Sequence, residues 1–156
     1  MTGYVICGIE FRQEAFRLEW QPGPPADELD AYQRYLDGAP LLPARWPLWQ
    51  AWLNRVREMT TQCTVSRVVL LDDQPTKYQQ WRMWAAPWHR IAGENILFMR
   101  LSEARERGIP VSNWWLFDDE LLAVDGHRIT GLEVSAYRRG RDLALRHAMP
   151  AETSTA

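Results

Sequence analysis

Asn113-Trp114-Trp115-Leu116-Phe117-Asp118-Asp119-Glu120-Leu121-Leu122-Ala123-Val124-Asp125-Gly126-His127-Arg128-Ile129 is the stretch whose reading decides the fold. Trp114 to Phe117 and Leu121 to Val124 are apolar runs of strand length. Asp125-Gly126 is a hairpin turn signal, since such turns need residues that tolerate positive φ. Alternation resumes from Arg128 to Val134, so the segment reads as an antiparallel meander.

Upstream of the meander, strands and helices interleave. Phe16, Leu18 and Trp20 alternate with Arg17 and Glu19, a period-2 strand, and Gln21 to Pro25 ends it as a stiff turn. Asp27 to Asp37 reads as a helix with Leu29, Tyr32, Tyr35 and Leu36 on one face and Gly38 as its cap. Ala39 to Pro43 is a proline-bounded linker. Trp46, Trp49, Trp52, Leu53 and Val56 recur at helical spacing over about Trp46 to Met59. Val65 to Leu71 suits a buried central strand. Pro75 suits the start of a helix striped by Tyr78, Trp81, Trp84 and Trp88, which Pro87 should end or kink. Glu94 to Leu101 reads as a strand, followed by a polar helical turn through Arg107 that stops at Gly108. Tyr137 to Ala148 reads as a last amphipathic helix.

This order, without a regular βαβ rhythm, predicts an α+β fold: a single domain over residues 1–150, with a mixed or antiparallel sheet, a C-terminal β-meander and packed helices. Residues 151–156 are expected to be a disordered tail.

The 156 residues suffice for a core without staples, and 46% hydrophobic against 24% charged residues excludes a disordered chain. Net charge is −2, so no overall field draws the chain to nucleic acid, and direct nucleic-acid binding is not expected. No apolar stretch approaches the roughly 20 residues of a membrane span, and the N-terminal run has no basic flank. The expectation is a cytoplasmic protein without membrane contact. Cys7 and Cys63 are expected as reduced core residues. Trp occurs nine times, and the basic residues are 17 Arg and a lone Lys77.

Phosphate-loop, dinucleotide, zinc-protease and nucleophile-elbow motifs do not occur. Neither metal nor cofactor is expected. Four constellations carry candidate chemistry. Asp72 to Trp81 joins a strand end, acids and an aromatic helix, the setting of many pockets, with Asp73 a candidate helix cap. Trp115 to Asp119 places an aromatic run before two acids, which as neighbours on a strand face opposite ways. His89, Arg90 and Glu94 set a histidine near an acid, a pair that can shuttle protons. Arg138, Arg139, Arg141 and Arg146, with His147 against Asp142, form a basic patch able to meet phosphates or an acidic partner. A ligand-binding or interaction site is expected from Tyr78, Trp81, Arg82, Trp84, Trp115 and Asp118. In it Tyr and Trp form walls with polar tips, and Asp118 is an acceptor for Arg82 or a ligand amine.

Glu14 to Trp20, Asp37 to Pro40, Val65 to Val69, Tyr78 with Trp81, Ala92 to Ile96, Trp115 to Asp119, and Tyr137, Arg141, Asp142, Ala144 and Ala148 to Pro150 resemble a family of small actinomycete proteins, a domain of unknown function. The resemblance spans about Glu14 to Pro150. Members are often encoded beside helix-turn-helix regulators, which implies a regulatory or toxin–antitoxin-like neighbourhood. The first functional expectation is therefore a non-enzymatic protein-interaction module partnering such a regulator. The alternatives are a small-molecule-binding protein or enzyme with an aromatic-lined pocket, and a metal-independent RNA-directed toxin.

Overall fold

The computed structural model describes residues 3–130 and 134–151. It opens with a hairpin, β1 (Tyr4–Ile6) and β2 (Ile9–Phe11), turned by Cys7 and Gly8, both at positive φ. The N-terminal run was not expected to pair with itself, and the turn leaves Cys7 exposed rather than in the core. Cys63 is buried.

β3 (Glu14–Trp20) follows, and a 3₁₀ turn at Ala26–Glu28 leads into α1 (Leu29–Leu36). α2 (Pro47–Met59) precedes β4 (Thr64–Leu71), α3 (Lys77–Ala92), β5 (Asn95–Arg100) and α4 (Leu101–Glu106). The meander is β6 (Trp114–Phe117), β7 (Leu121–Val124) and β8 (His127–Ile129), and α5 (Val134–His147) ends the fold. Among the described residues six strands form one sheet, in the order β5-β4-β3-β6-β7-β8. β3, β4 and β5 are parallel, and β3–β6–β7–β8 are antiparallel. The architecture is α+β with a mixed sheet, as expected.

The parallel half escapes a simple βαβ pattern because two helices, α1 and α2, fill the first crossover. The expected strand from Arg128 to Val134 ends at Ile129; residues 131–133 lie outside the described residues, and Val134 opens α5. The expected tail falls mostly on 152–156, also outside them.

Strand alternation divides the core. Phe16, Leu18, Val68, Leu70, Trp114 and Leu116 point to the face covered by α4 and α5. Ala15, Val65, Trp115 and Phe117 point to the face covered by α2 and the first hairpin. Trp114 and Trp115 thus serve opposite cores, as adjacent strand residues must. On α1 the tyrosines of the expected face pack inward, whereas Leu29 and Leu36 are exposed.

α3 starts in a capping box: Thr76 Oγ1 accepts from Gln79 N, and the Gln79 side chain accepts from Thr76 N. Asp73 is not the cap; it accepts instead from Ser102 Oγ. Pro87 does not end α3, which runs on to Ala92 and closes on Gly93 at φ 113°. A Cβ at Gly93 would run into Thr60 Oγ1. On the outer edge of β5, Phe98 and Met149 exchange backbone hydrogen bonds in an antiparallel bridge.

Candidate functional site

Along the α2/α3 face of the sheet, alternation exposes Arg17 and Glu19 of β3 and Arg67 of β4 to the helices rather than to water. Arg17 and Arg67 are direct cross-strand partners. Like charges placed so are unfavourable unless compensated. Glu94, just before β5, grips Arg67 with two hydrogen bonds, Nε to Oε2 at 2.6 Å and Nη2 to Oε1 at 3.0 Å. Glu19 receives Arg82 of α3 through both guanidinium nitrogens, 2.5 and 3.0 Å, and Arg67 Nη1 at 3.2 Å. Glu19, Arg67 and Glu94 are each no more than 4% exposed.

Burial opposes ionisation of Glu19, but the fields of Arg82, Arg17 and Arg67 outweigh it and hold the carboxyl well below its ordinary range. For Glu94 burial is likewise outweighed, by Arg67 and then His89, and the carboxyl falls to about 2. Both are carboxylates at any physiological pH.

His89 is fixed from both sides. Trp49 Nε1–H donates to its Nε2 at 3.1 Å, so Nδ1 carries the ring proton and donates to Glu94 Oε1 at 3.2 Å. Burial lowers its pKa against the pull of Glu94, so the ring is neutral at pH 7. Trp52 Nε1–H also reaches Glu94 Oε1. The histidine–acid pair anticipated for proton transfer does meet, but the Trp49 indole occupies the lone pair a base would use.

Above these ions lies a cavity of about 410 Å³ between β3/β4 and α2/α3, lined among others by Arg17, Glu19, Arg67, Arg82 and the indoles of Trp46, Trp49 and Trp81. Trp46 and Trp81 stack on each other, centroids 5.9 Å apart. Asp27 and Glu28 stand on its margin, and burial raises the Glu28 pKa. The Tyr78 hydroxyl accepts from Arg82 Nη1 and lies 3.1 Å from Glu28 Oε1. Arg17, half-buried, lies over the Trp115 ring at 5.3 Å. Its Nε is buried with no acceptor among the described residues.

A family model described as "Domain of unknown function (DUF6879)" matches residues 7–154. The chain belongs to this family. No curated protein and no solved structure matches it.

Of the residues singled out in the DUF6879 sequence, Trp81 and Arg82 line the cavity, Tyr78 anchors Arg82, and Trp115 supports Arg17 from below. Trp84 instead packs on Trp88 and faces a second cavity of about 1100 Å³, lined also by Asp72, Asp73, Phe98 and Met149. Asp118 does not join Arg82. Its carboxylate accepts the backbone N–H groups of Arg12, Gln13 and Glu14 at 2.7–3.0 Å, tying the β2–β3 turn to the end of β6. Arg82 turns to Glu19.

In the basic patch, Arg141 pairs with Glu14, Asp119 and Asp142, and Arg138 pairs with Asp119, so much of its charge is neutralised within the DUF6879 fold. Among the described residues no group of three His, Cys, Asp or Glu side chains could hold a metal ion, and no helix is long and apolar enough to cross a membrane.

Arg17, Glu19 and Arg67 were not anticipated as site residues. The available signal was a lone Arg67 inside the apolar run Val65 to Leu71, a charge that a buried strand accommodates only with a partner.

Proposed function

We propose that the protein is a non-enzymatic binding module that holds a small organic molecule in the cavity between β3/β4 and α2/α3. The observation that carries this reading is Arg17: a cation on the cavity floor with a buried Nε that has no acceptor among the described residues. Buried donors are ordinarily paired, and an exception asks for an explanation. The surrounding ion network supports the same reading, because for stability alone apolar residues would serve as well as buried ion pairs. Three indoles give the apolar body of a ligand a rigid wall. On the cavity floor the bases favour binding over catalysis, because Glu19 and Glu94 are held by guanidinium groups and His89 has both nitrogens engaged.

The test is a screen of nucleosides, amino acids, aromatic acids and amines by thermal shift and indole emission, repeated on Ala85→Phe, which fills the cavity beside Trp81. A compound that stabilises the wild type and loses its effect in Ala85→Phe is expected. Hits indifferent to Ala85→Phe, or a screen without hits, overturn the reading.

A second reading rests on four exposed leucines, Leu29, Leu36, Leu42 and Leu48, carried on the α1–α2 segment. They favour a protein-interaction module, and the partner expected from the resemblance drawn on the sequence is a helix-turn-helix regulator in the cytoplasm. Co-purification of that regulator, lost on Leu48→Glu, would support it. A protein that stays monomeric and binds no neighbour at micromolar concentration argues against it. The RNA-directed toxin draws no support from the site, since His89 offers no free ring nitrogen for proton transfer.

A further inference from the structure

We propose that the occupant of the cavity is a flat organic monocarboxylate whose carboxylate is held by Arg17. This rests on the cavity being a ligand site and adds the chemistry of the ligand.

The argument is an accounting of charges and hydrogen bonds on the cavity floor. Three guanidinium groups, Arg17, Arg67 and Arg82, face two buried carboxylates, Glu19 and Glu94. Each carboxylate already has its own two-pronged partner: Arg67 for Glu94, Arg82 for Glu19. The third cation is left over. Arg17 feels Glu19 through space, yet none of its nitrogens forms an ion pair among the described residues, and Nε has no acceptor. Its flat face is taken by the Trp115 ring, which leaves the N–H groups in the guanidinium plane as the binding edge. A planar fork of N–H donors matches a carboxylate in shape and charge.

The same accounting limits the ligand to one negative charge. Beyond Arg17 every cation on the floor is committed, and the margin carries Asp27 and Glu28. A dianion such as a phosphate monoester would meet those acids without a second free cation. The remainder of the ligand must be apolar and flat, because the walls are Trp46, Trp49 and Trp81. A volume of about 410 Å³ lies within the range of small-molecule pockets.

The experiment is isothermal titration of the full chain with benzoate and 2-naphthoate, against their uncharged amides and against phenyl phosphate, on wild type, Arg17→Gln and Ala85→Phe. The acids are expected to bind saturably, at least about tenfold tighter than the amides or the phosphate, since hydrogen bonds between charged groups are the strong ones. Arg17→Gln should weaken acid binding by about tenfold to a hundredfold and amide binding by clearly less, so that the preference for acid over amide shrinks. If the amides bind as tightly as the acids, or Arg17→Gln leaves acid binding unchanged, the monocarboxylate is wrong, while loss of binding in Ala85→Phe would still uphold the cavity as a site. If phenyl phosphate binds tightest, the single-charge argument falls. If none of these compounds binds with a Kd below about 1 mM, an affinity of about −4 kcal/mol, the monocarboxylate falls, and the cavity reading stands or falls on the wider screen with Ala85→Phe. Should Arg17→Gln fail to fold, the comparison of acid with amide on the wild type decides by itself.

Discussion

Replacing Glu94 by Gln removes one charge and almost no volume from the centre of the ion network, so its cost measures what that charge does. Glu94 accepts from Arg67 twice, from His89 and from Trp52. A glutamine can serve Trp52 and His89 through its carbonyl, but its amide turns N–H groups toward a guanidinium, which has no acceptor. Arg67 would then depend on Glu19, already shared with Arg82. Breaking a buried pair by removing one partner costs about 3–5 kcal/mol. The titration of Glu94 gives an independent figure: a carboxyl lowered from 4.5 to about 2 contributes about 3 kcal/mol at neutral pH. The two agree, and for a domain of this size they correspond to a fall in melting temperature of roughly 6–20 °C.

Because the folded carboxyl titrates below the unfolded one, this contribution is complete above the unfolded pKa of 4.5 and disappears as pH falls toward about 2. Urea denaturation of wild type and Glu94→Gln at a series of pH values should show a constant gap at neutral pH that narrows through that window. A gap under about 1 kcal/mol at pH 7, the level of an ordinary surface pair, refutes the reasoning. A gap that does not change with acidification refutes it equally.

Trp49→Phe removes the indole N–H that occupies His89 Nε2, so the His89 pKa should rise from its lowered value; NMR titration of the ring reads this, with a stability loss of about 1–2 kcal/mol. Asp118→Asn should cost about 1–3 kcal/mol in a thermal melt at pH 7, because an amide cannot accept from three backbone N–H groups as a carboxylate does, and any ligand affinity should stay unchanged. As the backbone amides lower the Asp118 pKa against burial, that loss should shrink in acid. Gly93→Ala combines a φ of 113° with collision against Thr60 and should destabilise by more than about 1 kcal/mol, read as a shift in denaturation midpoint.

Most of the fold was legible because its signals are local. The Asp125-Gly126 turn, with φ of 51° and 82°, folds β7 onto β8, and the Trp stripes of α2 and α3 lie on their inner faces. The Cys7-Gly8 turn has the same backbone signs but only three-residue strands, too short for a pattern. The candidate site was half legible. Trp81, Arg82 and the His89–Glu94 pair lie on helical spacings or close in sequence, so they can be read together. Arg17 and Glu19 alternate with Phe16, Leu18 and Trp20 in the pattern of a strand with one wet face, and nothing local tells that α2 and α3 cover that face. Asp118 misled for the opposite reason: a carboxylate beside aromatic residues resembles a site, while its partners are backbone amides 104 to 106 residues away.

The pairing of Arg17 with Arg67 across β3 and β4 bears on how the chain assembles. Two parallel strands aligned in this register alone set a pair of guanidinium groups side by side with only Glu19 between them. Glu94 arrives with β5, and Arg82, which holds Glu19 in place, arrives with α3. The β3–β4 ladder is therefore self-repelling until later segments dock. Slipping it by one residue would drive these charges into the Phe16–Leu18 core, so there is no cheaper alignment to rest in. Half-built sheets are thus poor resting places, and the parallel half of the sheet should form together with α3 in a single concerted step.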